Sequence, residues 1–145
     1  MPIASSLLDK PRLVKKLKDF YDYVQKNDGK VGQKTRGIDL NFNNACNLRC
    51  KYCFTNSPKG DHVKEYLDIG AIKKLADEAD ELGYFEFDLQ GGELLLQPKK
   101  LFEVLEAIKP ERFYMYLTTN GFYLDEAMAK KLAEYKVCRV SVCID

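Results

Sequence analysis

Ile38-Asp39-Leu40-Asn41-Phe42-Asn43 runs through Asn44 and Ala45 into Cys46-Asn47-Leu48-Arg49-Cys50-Lys51-Tyr52-Cys53-Phe54. The first six residues alternate apolar and polar, which predicts a strand over 38–43 with one buried face. The nine that follow carry three thiols spaced C-x3-C-x2-C, with an aromatic residue just before the last. Three soft ligands on one short loop read as a metal site. A 4Fe-4S cluster normally takes four protein thiolates, so this trio would hold three irons and leave the fourth open to a non-protein ligand. A structural zinc site, with His62 completing a Cys3His set, is the competing reading.

Outward from this stretch the same grammar repeats. Apolar positions Ile69, Ile72, Leu75, Ala76, Ala79 and Leu82 keep helical spacing from Asp68, a fitting N-cap, to Gly83, a natural stop. A second strand is predicted over 84–89 and a loop over 90–97. Pro98 opens a helix carrying Leu101, Leu105 and Ile108, and Pro110 forbids its continuation. A third strand follows over 112–118, then a helix capped by Asp125 with Met128, Leu132 and Tyr135 on one face, then a fourth strand over 138–144. Upstream, residues 10–28 read as an amphipathic helix with Leu13, Leu17, Phe20, Tyr21 and Val24 on one side, joined to the rest by a polar, glycine-punctuated linker. Residues 51–65 form an irregular polar stretch centred on Ser57-Pro58-Lys59-Gly60.

Strand and helix alternate, and such crossovers demand parallel pairing. Parallel strands covered on both faces read as continuous apolar runs, yet all four here alternate. Ile38, Leu40, Phe42, Phe85, Phe87, Leu89, Phe113, Met115, Leu117, Val140, Val142 and Ile144 share one face, suited to cover by the helices. The opposite face carries Asp39, Asn41, Asn43, Glu86, Asp88, Gln90, Tyr114, Tyr116, Thr118, Ser141, Cys143 and Asp145, too polar to bury dry. The expectation is an α/β fold in which parallel strand–helix repeats form part of a TIM-like barrel, about four βα units, with helices outside and a polar lumen. In such barrels chemistry sits at the strand C-termini. The cysteine loop, Gln90-Gly91-Gly92-Glu93 and Thr119-Asn120-Gly121 all fall there.

The chain of 145 residues has Lys+Arg 23 against Asp+Glu 22, a net charge of +1. Without basic runs, nothing argues for nucleic acid or an acidic membrane surface, and a small molecule or peptide is the expected partner. The first eight residues lack a charged n-region and a long apolar run, so neither secretion nor membrane spanning is expected. Five cysteines, three of them clustered, suit a reducing compartment, and the cytoplasm is the expected location.

The cysteine motif of Cys46, Cys50 and Cys53 with Tyr52, the Gly91-Gly92-Glu93 stretch and Thr119-Asn120-Gly121 together resemble the radical S-adenosylmethionine (SAM) enzymes. The resemblance implies a partial core domain over 37–145, preceded by a helical extension and linker over 1–36. It implies a 4Fe-4S cluster on the three cysteines, with SAM chelated at the open iron by its amino and carboxylate groups. It further implies reductive cleavage to a 5'-deoxyadenosyl radical that takes hydrogen from a substrate, and an electron donor such as flavodoxin or ferredoxin. Carried over residue by residue, the cofactor-binding set is Tyr52 against the adenine, Gln90, Gly91, Gly92, Glu93 near the amino group, Thr119, Asn120 and Ser141. No catalytic side chain stands out. Gln-Gly-Gly-Glu resembles sulfatase-maturing members, where the glutamine lies toward substrate, although Leu94 stands where many members have proline. A peptide substrate is therefore favoured over a sugar or other small molecule, and a non-catalytic metal-holding fragment is the alternative. Cys138 is expected in the core, and Cys143 as an inert thiol on the lumen face. Members usually have six strand–helix units against four here, so an open strand edge and poor substrate turnover are expected of this form, with oligomeric state undetermined.

Overall fold

The computed structural model of the protein describes residues 7–34, 36–55 and 66–144. Four strands, β1 (Gly37–Asn41), β2 (Glu86–Gln90), β3 (Tyr114–Thr119) and β4 (Arg139–Val142), lie in the order β1-β2-β3-β4. Every neighbouring pair is parallel, with Asp39 opposite Asp88 and Leu117 opposite Val140. Helices α2 (Ile69–Glu81), α3 (Pro98–Ile108) and α4 (Glu126–Glu134) make the three crossovers. Sequential strand order means the chain winds in one sense and never reverses, which is the winding of a (β/α) barrel rather than of a doubly wound sheet. The architecture is that of a partial TIM-like barrel with an N-terminal helix.

Local chemistry sets the element ends. The Asp68 carboxylate accepts the Ala71 N–H at 2.8 Å and starts α2, and Asp125 does the same for α4 through Met128. Proline at the first turn opens α3, and Lys109, in the left-handed region at φ 59°, ends it before Pro110. A one-turn 3-10 segment at Pro110–Arg112 occupies the start of the predicted third strand, so β3 begins two residues later than expected. The core lies between one sheet face and the helices: Leu40, Phe87, Leu89, Met115 and Leu117 meet Ile72, Ala76, Leu101, Leu105 and Leu132. Phe87 and Phe113 pack edge to face with centroids 5.0 Å apart.

Helix α1 (Pro11–Lys26) lies across the N-terminal ends of the strands. Leu13 is fully buried and Phe20 meets Phe85, as its apolar stripe predicts. Two lysines also face inward, which the stripe did not show. Lys10 Nζ donates to the carbonyls of Pro110, Phe113 and Lys136 and to Cys138 Sγ, while Lys16 Nζ donates to the carbonyls of Tyr84 and Arg112. Chain carbonyls between helix ends and strand starts, left over by the sheet ladder, thereby gain partners. Expected burial fails at four apolar residues. Tyr21 and Leu82 are exposed, and so are Val142 and Ile144 on the face of β4 expected to be covered. No described helix packs over that end of β4. Residues 1–6, Ser57-Pro58-Lys59-Gly60, His62 and Asp145 lie outside the described residues. No described helix is long and apolar enough to cross a membrane.

Candidate active site at the C-terminal ends of the strands

Three loops leave the C-terminal ends of β1, β2 and β3 and are tied to one another. The Gly92 N–H donates to the Asn43 carbonyl at 3.1 Å, and the Glu93 N–H to the Ala45 carbonyl at 2.7 Å. These bonds lock the second loop under the cysteine loop. Both glycines are required by the closeness of that contact: a Cβ on Gly91 would stand 2.4 Å from the Asn43 carbonyl oxygen, and one on Gly92 would stand 2.1 Å from that of Ala45. The third loop joins through side chains. Asn120 Nδ2 donates to Asn47 Oδ1 at 2.9 Å, inside the cysteine motif.

Glu93 is the knot. It is 1% exposed, and its carboxylate accepts three hydrogen bonds: Oε1 from the Leu95 N–H (2.8 Å) and the Thr119 hydroxyl (2.7 Å), Oε2 from the Asn120 N–H (2.7 Å). The expectation placed this carboxylate near a ligand amino group. Here it faces the third loop and does not line the cleft.

Cys46, Cys50 and Cys53 all line one cleft of about 180 Å³, together with Tyr52, Gln90, Gly91, Gly92, Thr118, Thr119, Asn120 and Cys143. The Leu48 N–H points at Cys46 Sγ (3.4 Å), and Cys53 Sγ lies 3.1 Å from Thr55 Oγ1. None of the five cysteines is in a disulfide. Among the described residues no three His, Cys, Asp or Glu side chains are placed around one point as a single metal ion would require. Tyr52, 91% exposed, stands at the cleft mouth rather than in the core. Ser141, half-buried opposite Thr118, is not among the lining residues, whereas Cys143 is. The Cys143 N–H donates to the Thr119 carbonyl, which carries that thiol to the cleft. Strand alternation placed both residues on the lumen face, but only the position along β4 separates the one at the rim from the one below it.

Below the cleft, on the inner face, Asp88 is 2% exposed and accepts from Gln90 Nε2. Burial pushes its carboxyl above the ordinary range, Asp39 and Glu86 act in the same sense, and Tyr116 and Gln90 oppose. The neighbouring Asp88 carboxylate in turn pushes the Tyr116 phenol up to about 12. A carboxyl raised in the folded state binds its proton more tightly folded than unfolded, so its contribution to stability falls as pH rises from the unfolded value through the folded one. Above that window the buried charge is a cost. Asp88→Asn, which keeps an acceptor for Gln90, is expected to raise the urea midpoint at pH 8 and to change it little near pH 4. A lower midpoint at pH 8 would contradict this account.

The family model for the radical SAM superfamily matches residues 40–145. The chain belongs to the radical SAM superfamily. Among curated proteins, it is 34% identical over 117 residues to a protein of Methanocaldococcus jannaschii named "Probable GTP 3',8-cyclase", covering 80% of this chain and 38% of that one. It is 36% identical over 104 residues to the "Cysteine-type anaerobic sulfatase-maturating enzyme" of Clostridium perfringens strain 13, covering 63% and 28%. A GTP 3',8-cyclase of Trichodesmium erythraeum is 35% identical over 105 residues, covering 69% and 31%. The chain thus spans well under half the length of these radical SAM relatives.

Proposed function

We propose that this chain forms the cofactor-holding part of a radical SAM enzyme, with Cys46, Cys50 and Cys53 as ligands to three irons of a 4Fe-4S cluster and SAM at the fourth. The observation that carries the reading is the convergence of all three thiols with Gly91, Gly92, Thr119 and Asn120 on one cleft, through loops bonded to each other. A four-iron cube takes one thiolate at each of three corners and leaves the fourth iron to a ligand that is not protein, which matches the three-thiol donor set of this loop. When bound, the cluster and SAM supply a 5'-deoxyadenosyl radical that abstracts hydrogen from the substrate.

The chain's own part is placement. The Gly91 and Gly92 backbone forms a wall that no side chain obstructs, and Glu93 holds Thr119 and Asn120 against the cysteine loop. Tyr52 offers an exposed ring at the rim for the adenine, and Ser141 stands one step lower for the ribose or methionine part. Gln90, between the cleft and Asp88, lies toward substrate. That inner face carries Asp39, Glu86 and Asp88 together with Arg36, paired to Glu86 at 3.2 Å, and Arg139 over the Tyr116 ring, so it offers both donors and acceptors to a peptide or another polar substrate. The reductant is a low-potential electron-transfer protein of the flavodoxin or ferredoxin kind, and the reducing cytoplasm is the fitting compartment.

Titrating the anaerobically reconstituted, reduced protein with SAM while recording the cluster's EPR spectrum tests the reading. A new signal that saturates with SAM is expected. A spectrum unchanged at saturating SAM would refute cofactor binding at an open iron, and stoichiometric zinc without iron in the native protein would favour the structural alternative.

A further inference from the structure

One thiol of the cysteine motif already faces a side-chain hydroxyl. Cys53 Sγ lies 3.1 Å from Thr55 Oγ1. Both residues are half-buried, and both line the cleft shared with Cys46 and Cys50. In the free protein either atom can be the donor, since a thiol and a hydroxyl each donate and accept. A sulfur bound to iron is a thiolate with no proton to give, so in that state the hydroxyl must donate. The bond then becomes charge-assisted and stronger than the neutral one. The contact is also local: Thr55 follows Cys53 by two residues, so the hydroxyl travels with the sulfur it faces. At Cys46 the neighbouring donor is the Leu48 main-chain N–H, which almost any residue supplies. At Cys53 it is a side chain, and its presence is a choice of sequence.

We propose that the Thr55 hydroxyl donates a hydrogen bond to the Cys53 sulfur when the cluster is bound, and so raises the cluster's reduction potential. This rests on the function proposed above. Reduction adds negative charge that is shared with the sulfur ligands, so a donor at sulfur stabilises the reduced state more than the oxidised one. Such bonds, with net charge and solvent exposure, set where in its wide range a cluster's potential lies. Thr55 makes no bond to iron. It acts through Cys53, as a tuning residue at one corner of the site.

Two variants separate the hydroxyl from the shape of the side chain. Thr55→Val keeps the branched outline and puts a methyl where the hydroxyl was, whereas Thr55→Ser keeps the hydroxyl and loses the methyl. Each is reconstituted anaerobically beside the parent chain, assayed for iron and sulfide, and titrated potentiometrically by EPR without SAM. All three are expected to hold a full cluster. At the potential where half of the parent cluster is reduced, the reduced-to-oxidised ratio should fall about threefold or more in Thr55→Val and stay within about twofold of the parent in Thr55→Ser. A packing role would give the reverse order, because serine is the variant that loses volume. An unchanged midpoint in a fully loaded Thr55→Val protein would overturn the proposal, and so would an equal fall in both variants. Loss of the cluster in Thr55→Val would assign the hydroxyl to cluster assembly and would overturn the tuning role as well. If the parent chain itself takes up no cluster, it is the proposed function that fails.

Discussion

Replacing Cys46, Cys50 and Cys53 together by alanine is expected to abolish cluster uptake: after anaerobic reconstitution the parent chain should carry about four iron and four sulfide, and the variant neither. The effect is close to all-or-none, because the three thiols are the only ones on the loop and each corner of the cube needs its own ligand. Cys138 is half-buried beside Lys10 at the opposite end of the strands, so Cys138→Ala should retain the cluster. Cys143→Ala is the sharper control, since that thiol lines the same cleft. Iron and sulfide analysis with absorption spectra decides the matter. Full retention of the cluster in the triple variant would remove the assignment, and its loss in Cys143→Ala alone would show that the fourth thiol is a ligand.

Glu93→Ala is expected to cost about 3–5 kcal/mol of folding stability, because it strands two backbone N–H groups and a hydroxyl that now share one buried carboxylate. Glu93→Gln should cost less, about 1–3 kcal/mol, since one oxygen survives while the new NH2 opposes a donor. Urea denaturation measures both. SAM affinity, measured on the cluster-loaded proteins, then separates two roles for the residue. If Glu93 acts only as the tie between loops, affinity should follow stability across the series. If its carboxylate also meets the SAM amino group, Glu93→Gln should weaken binding far more than its modest instability accounts for. Undiminished affinity in Glu93→Ala would exclude both roles.

The fold was readable because its signals are local and periodic. Alternation along β1, β2 and β3, the caps Asp68 and Asp125, and the stops at Gly83 and Pro110 each act within a few residues. Together they leave strand–helix repetition as the consistent arrangement. The same alternation misjudged the end of β4, where Val142 and Ile144 carry the right residue types but no described helix covers them. Periodicity states which face is apolar; it cannot state whether anything packs on it. Leu82 and Tyr21 err for the same reason, as apolar residues at the ends or flank of an otherwise correct stripe.

Within the site, spacing in the sequence was enough to bring out Cys46, Cys50 and Cys53 and the Gly91-Gly92-Glu93 stretch as belonging together. What each does in the fold depends on partners far away in the chain. Glu93 bonds across 26 and 27 residues to Thr119 and Asn120, and Asn120 reaches Asn47 across 73. The glycines proved necessary because the backbone of the cysteine loop presses on them. Lys10 and Lys16 look like solvated charges on a helix, yet they turn inward to carbonyls about 70 to 130 residues on. The sequence alone determined the order of elements, the sidedness of the sheet and the ligand chemistry of one loop, all governed by short-range geometry. Only the tertiary structure decided that Glu93 ties loops together, that Cys143 rather than Ser141 lines the cleft, and that Asn43 Nδ2 is buried without a partner. Those outcomes depend on which loops meet, and loops are brought together by packing rather than by any pattern within them.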